Sequence, residues 1–208
     1  MEEICFYGYA EDELSCTVMR RLFDYHNMSN PAGKQLMFRP GFPENKRGCV
    51  NLKNLASNLI QMCGNAGLFV FVMTDLDQNE CAPTLMQQWF PDINSLPDSL
   101  IFRVAVREVE SWILANRDDL ADFLGIAKAN FTREPDTLED PKSHLLDVIR
   151  SKGRKRSHRD MLPTGNAHIG PKYNTVLCDF VENRWNIDVA QQYSPSLQRT
   201  VNALHRIA

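Results

Sequence analysis

The chain has 208 residues, 43% of them hydrophobic and 24% charged, with eleven Phe and three Trp. That balance excludes a disordered or peptide-sized protein and suits one well-packed domain with an appendage, or two small ones. The formal charge of −3 is unevenly spread: residues 1–140 carry twelve Lys/Arg against twenty-one Asp/Glu, and residues 141–208 carry eleven against five, an acidic part followed by a basic one.

No run reaches the ~18 apolar residues of a membrane helix. Met1-Glu2-Glu3 opens without the basic and apolar segments of a secretion signal, so a cytosolic protein is expected. Six cysteines (Cys5, Cys16, Cys49, Cys63, Cys81 and Cys178) are scattered with no C-x-x-C pair. They read as reduced core residues rather than as a zinc cluster or disulfide framework.

In chain order, Glu3 to Tyr9 is an apolar strand that ends in Glu11-Asp12-Glu13. Leu14, Val18, Leu22 and Tyr25 then fall on one helical face, with acids at the positive end of the helix dipole. Asn30 to Gly33 turns into a short strand, Gln35 to Phe38, and the Pro- and Gly-rich stretch 39–48 predicts a loop. Leu52, Leu55, Ala56, Leu59, Ile60 and Cys63 mark an amphipathic helix.

After Gly67, the apolar run Leu68 to Met73 has the pattern of a parallel strand buried on both faces, and it ends in Asp75-Leu-Asp77. A short helix over Pro83–Phe90 and a loop over Pro91–Ser99 lead to a fourth strand, Leu100–Val106. That strand runs directly into a helix carrying Glu108 and Glu110. Four strands alternating with helices predict an α/β fold with a four-stranded parallel sheet flanked by helices.

After a short helix over Asp118–Gly125, Pro135 to Asp140 is a polar and acidic linker, and composition changes from Pro141. The expected division is an α/β domain over 1–134 and a basic helical extension over 135–208 packed on it. The extension contains helices around His144–Ile149, Tyr173–Trp185 and Ser196–Ile207, the last started by Ser194-Pro195. It also holds the one dense basic run, Lys152, Arg154, Lys155, Arg156, His158 and Arg159. Trp89, Trp112 and Trp185 fall on apolar helix faces and are expected in the core.

Right-handed winding places the carboxyl ends of parallel strands on one edge, where such sheets bind ligands. Glu11, Asp75, Asp77, Glu108 and Glu110 are therefore expected to converge, with the carboxylates of Asp75 and Asp77 aimed at one point. Clustered carboxylates repel unless they share protons or hold a cation, and hard oxygen donors open to water favour Mg²⁺ or Mn²⁺. Two such ions would support phosphoryl chemistry. D-x-D alone also marks a turn, and it occurs in metal-dependent nucleotide-sugar transferases; the acids before the first helix also serve as its N-terminal charges.

These residues resemble a known family. A first strand ending near a Glu, a later one ending in Asp75-Leu-Asp77 and the β-α-β-α-β-α-β order are similar to the TOPRIM fold of topoisomerases, primases and OLD-type nucleases. More narrowly, Leu76 to Cys81, Ala105 to Ala115, Gly170-Pro-Lys-Tyr-Asn174 and Ser194-Pro-Ser-Leu197 resemble a TOPRIM-like group long described as a domain of unknown function. That group includes the nuclease effector of the PARIS anti-phage system, which works with an ABC-type ATPase.

The resemblance implies a Mg²⁺- or Mn²⁺-dependent nuclease acting on RNA, tRNA among its candidates, or on DNA. It implies Glu11, Asp75 and Asp77 as catalytic residues and metal ligands, with Glu108 or Glu110 completing a second metal site. It also implies an ABC- or AAA-type ATPase partner; a homo-oligomer is left open, and no membrane association is expected from the lack of a long apolar run. The family places its Glu directly before a Gly at the end of the first strand; here Tyr7-Gly8 stands there and Glu11 follows. A catalytically silent, partner-docking subunit is the alternative implied by that departure. On the nuclease reading the basic run grips phosphates beside the crevice.

Overall fold

The computed structural model describes residues 2–90 and 92–207. Met1, Pro91 and Ala208 lie outside the described residues, and with them the first residue of the loop expected over 91–99. Strands form where the apolar runs predict them, as β1 (Glu3–Ala10), β2 (Gln35–Phe38), β4 (Phe69–Asp75) and β5 (Leu100–Ala105), with an additional two-residue β3 (Glu44–Asn45). All pair in parallel, in the order β2-β1-β4-β5.

β3 interrupts the stretch expected to be loop. The eight residues of β1 outrun the four of β2, and Glu44 and Asn45 pair with Tyr9 and Ala10. This occupies backbone groups that β2 leaves open. It also draws the following residues against the crevice: Lys46 donates its N–H to the Ala10 carbonyl and Gly48 to that of Glu11, both at 2.8 Å.

Side chains alternate between two cores, as the pleat requires. Phe71 and Met73 face one, and Val70 and Val72 the other, so β4 is buried on both sides as its unbroken apolar run predicts. The thinner face carries α2 (Cys49–Lys53), α3 (Ala56–Ala66) and α4 (Ala82–Trp89). The single helix expected there is two, broken after Lys53.

The thicker face carries α1 (Glu13–Ser29) and the C-terminal helices. These are α5 (Val109–Ala115), α6 (Arg117–Leu124), α7 (Pro141–Lys152), α8 (Arg156–Met161), α9 (Tyr173–Asn183), α10 (Ile187–Tyr193) and α11 (Pro195–His205). Residues on both sides of position 135 share this core: Leu14 and Phe71 with Leu145, Phe180 and Leu197.

Trp112 and Trp185 cross-brace it. The Trp112 indole donates to Ser196 Oγ at 2.7 Å, and the Trp185 indole donates to the Trp112 carbonyl at 3.1 Å. All three tryptophans are buried, as expected. All six cysteines are free, as expected: Cys16 and Cys63 are buried and Cys49, Cys81 and Cys178 partly so, and the departure is Cys5, which is exposed. Cys5 and its β2 neighbour Met37 sit at the amino end of the sheet, on the face with fewer helices.

From β1 the chain moves to one side of the sheet, to β2, and from β4 to the other, to β5. The carboxyl ends of β1 and β4 therefore flank the switch point, where open α/β sheets leave a crevice.

Candidate functional site

The acid triplet after β1 divides its work. Asp12 caps α1, its Oδ1 accepting the Ser15 N–H at 2.8 Å, and Glu13 stands in the first turn. Glu11 reaches across to β4 instead. Its Oε1 accepts from the Thr74 hydroxyl and from the Asp75 N–H at 3.0 Å. Burial raises the Glu11 pKa and the two hydrogen bonds oppose that; the charges of Asp77 and Asp12 push it further up.

Packing explains why position 8 is glycine. A Cβ on Gly8 would lie 2.6 Å from the Phe38 ring and 2.7 Å from Pro43 Cβ. The strand is pressed against β2 and the segment beyond it, and the acid is delivered from the turn.

Asp77 lies past the strand at φ 49°, in the left-handed region. Its N–H donates to the Arg107 carbonyl at 2.8 Å, and Arg107 Nη1 donates to the carbonyls of Asp77 (3.0 Å) and Asn79 (2.7 Å). The turn after β4 is thus tied to the junction between β5 and α5. One donor atom each of Glu11, Asp77 and Cys49 lie within 4.8 Å of one another.

Asp75 is not in that group. Its carboxyl is buried and accepts the Val109 N–H, at the start of α5, at 2.9 Å. Burial, followed by the charges of Glu110, Glu11 and Asp12, holds its pKa well above the usual carboxylate range, with Lys142 opposing. Alternation along a strand would put residues two apart on one side, but the left-handed turn at Asp77 takes its side chain off that pattern.

Glu108 and Glu110 join a second, inner cluster. Glu110 is 1% exposed; its Oε1 accepts the Tyr173 hydroxyl at 3.0 Å and lies 3.6 Å from Lys142 Nζ, while its Oε2 is buried without a partner among the described residues. Burial pushes its pKa up to about 7, with Glu108 and Asp12 adding to the rise and Lys142 opposing it.

Glu108 accepts the Lys142 backbone N–H at 2.8 Å and its ammonium at 3.2 Å. Burial disfavours the Lys142 charge, but Glu110, Glu108 and Asp75 outweigh it and hold the ammonium protonated beyond its ordinary range. Burial and Glu110 raise the Tyr173 pKa, keeping its hydroxyl a donor.

Lys142, Tyr173, Thr74 and Cys49 are site residues that the sequence reading missed. Lys142 follows a helix-starting proline and Tyr173 opens a helix. Neither carries a local sign that it meets an acid 34 or 63 residues away.

The basic run is not uniform. Lys152, Arg154, Arg156 and Arg159 are exposed, whereas His158 is buried. His158 Nδ1 accepts the Lys155 N–H at 3.2 Å, and Lys155, although exposed, donates its ammonium to the Phe123 carbonyl at 3.0 Å, near the end of α6. Lys155 thus ties the start of α8 to the negative end of α6, and His158 is turned inward beneath it. Arg156 lines a cleft of about 640 Å³ with Lys172 and Glu13, next to the acids after β1.

Fold and site define a class: an α/β protein with a parallel sheet flanked by helices, C-terminal helices on one face, and carboxylates at the sheet's carboxyl edge. No family model, curated protein or solved structure matches this chain. Among the described residues no helix is long and apolar enough to cross a membrane.

The outer cluster suits a hard divalent cation. Glu11 and Asp77 offer carboxylate oxygens, and burial pushes the Cys49 thiol up to about 11, so it is a neutral neighbour rather than the thiolate that soft metals select.

Proposed function

We propose that the protein is a Mg²⁺- or Mn²⁺-dependent nuclease that hydrolyses phosphodiester bonds of RNA or DNA at the crevice between β1 and β4. The observation that carries this reading is the meeting of Glu11 and Asp77 at the switch point, backed by the buried cluster of Asp75, Glu108, Glu110, Lys142 and Tyr173. The dication would be held by Glu11 and Asp77, and it supplies Lewis-acid stabilisation of charge on phosphate and an acidified water.

The chain's own groups then have distinct roles. Glu11 is oriented by Thr74 and by the Asp75 N–H, which fixes the carboxylate that it would offer to the cation or, as a base, to an attacking water. Asp75 fixes the start of α5 and hence Glu108 and Glu110. Lys142 keeps these carboxylates from repelling the crevice apart. Arg156 and Lys172 stand where a phosphate backbone would pass. The resemblance to the anti-phage effector group extends the proposal to a toxic effector controlled by an ABC- or AAA-type ATPase.

The test is Glu11→Gln and Asp77→Asn, assayed by calorimetry with Mn²⁺ and by cleavage of total tRNA and plasmid DNA, alone and with a candidate ATPase. Both variants should lose cation binding and cleavage; variants that cut at the wild-type rate sink the proposal. A second reading has one observation in its favour: Asp75, Glu108 and Glu110 are each engaged by protein donors, leaving Glu11 and Asp77 to a single ion. A silent metal-binding subunit would bind Mn²⁺ and cut neither substrate with the partner present.

A further inference from the structure

β5 has one residue out of keeping with its surroundings. Ile101, Arg103 and Ala105 share the face towards the larger core, and the two neighbours are buried and apolar. Arg103 is half-buried, and its Nε is shielded from solvent with no partner among the described residues. The element packed along β5 on this side is α11.

Ser196, in the first turn of α11, accepts the Val106 N–H on its Oγ at 3.5 Å. From that anchor Arg103 lies three residues back along the strand, about 10 Å. Arg199 and Arg206 lie about 4.5 and 15 Å along the helix, seven residues apart and so on one face. From that anchor α11 runs back along β5, since His205 at its far end lies against His26 in the last turn of α1. Arg103 therefore falls between Arg199 and Arg206 in height, and the charges of Arg206 and Arg199, after burial itself, disfavour its protonated form. None of the three makes an ion pair within 4.0 Å among the described residues.

A guanidinium cannot relieve this by losing its proton, and like charges gathered around a half-buried one call for an anion. Three planar donor groups match the oxygens of a tetrahedral dianion better than one planar carboxylate.

We propose that Arg103, Arg199 and Arg206 form a phosphate-binding site between β5 and α11. Its ligand is a doubly charged phosphate, either free inorganic phosphate or the monoester end of a nucleotide or oligonucleotide. The site lies part-way down the sheet from the crevice, and the proposal does not depend on the nuclease reading.

Calorimetry on the full chain tests it with three probes: inorganic phosphate, a 5′-phosphorylated dinucleotide and the same dinucleotide without that phosphate. The wild type should bind inorganic phosphate saturably, and Arg103→Gln should weaken it at least about tenfold. Arg199→Gln/Arg206→Gln, which changes exposed side chains only, should do the same with unaltered circular dichroism. Tighter binding of the phosphorylated dinucleotide than of inorganic phosphate identifies a monoester end; no gain identifies free phosphate. No saturable binding of inorganic phosphate, saturable binding of the unphosphorylated dinucleotide as tight as that of the phosphorylated one, or unchanged binding of inorganic phosphate in both variants overturns the proposal.

Discussion

Replacing Lys142 with Met tests whether the inner cluster is held by one cation. Lys142 Nζ lies 3.2 Å from Glu108 and 3.6 Å from Glu110, so at an effective dielectric of 20 each attraction is about 5 kcal/mol before desolvation. Removing one partner of such a buried arrangement typically leaves a net loss of about 3–5 kcal/mol. The loss must depend on pH, with a definite sign.

The folded pKa of Glu110, about 7, exceeds its ordinary 4.5. Between those values the folded protein holds a proton that the unfolded chain has released, so this group's contribution to stability falls as pH rises to about 7 and is level above it. Without Lys142 the Glu110 pKa rises further, and the fall continues past pH 7. Urea denaturation followed by circular dichroism should show Lys142→Met costing about 3–5 kcal/mol at pH 8 and roughly half that at pH 5, where Glu110 is already protonated. A loss equal at both pH values, or below about 1 kcal/mol at pH 8, would refute this account.

Other outcomes follow from the same geometry. Glu110→Gln removes a carboxylate that is increasingly unwelcome as pH rises, so its stability relative to wild type should improve by about 3 kcal/mol between pH 4.5 and 7; parallel curves would contradict the raised pKa. Gly8→Ala should lower stability by about 1–3 kcal/mol in thermal melts, because its methyl meets the Phe38 ring and Pro43; a neutral effect would mean that β2 gives way freely. Lys155→Met should lower stability measurably while Arg154→Met should not, since only Lys155 holds a helix-end carbonyl; equal effects would remove the structural role assigned to Lys155.

Much of the fold was legible because its strands are long apolar runs bounded by turns. β4 is the clearest case, since a strand buried on both faces needs no alternation. β3 was not legible, because two polar residues carry no pattern and pair only where β1 outruns β2. The convergence of Glu11, Asp77, Glu108 and Glu110 on one edge follows from parallel winding. How they divide into an open cluster and a buried one does not, because it turns on the backbone at Asp77 and on Lys142 and Tyr173 arriving from distant helices. The basic run shows the same limit: charge density is visible in sequence, but the burial of His158 is a tertiary fact.

The brace from Trp112 to Ser196 and the hydrogen bond from Tyr173 to Glu110 have a bearing on synthesis. At ribosomal rates of 5–20 residues per second, Tyr173 follows Asp75 by roughly 5–20 s. During that interval a nascent chain has its central strands but not the hydroxyl that satisfies the inner acids, and until Lys142 emerges it lacks the ammonium as well. The crevice can reach its final form only after the helices beyond residue 135 have docked, so a ribosome-bound fragment ending before them would carry the acids without their scaffold.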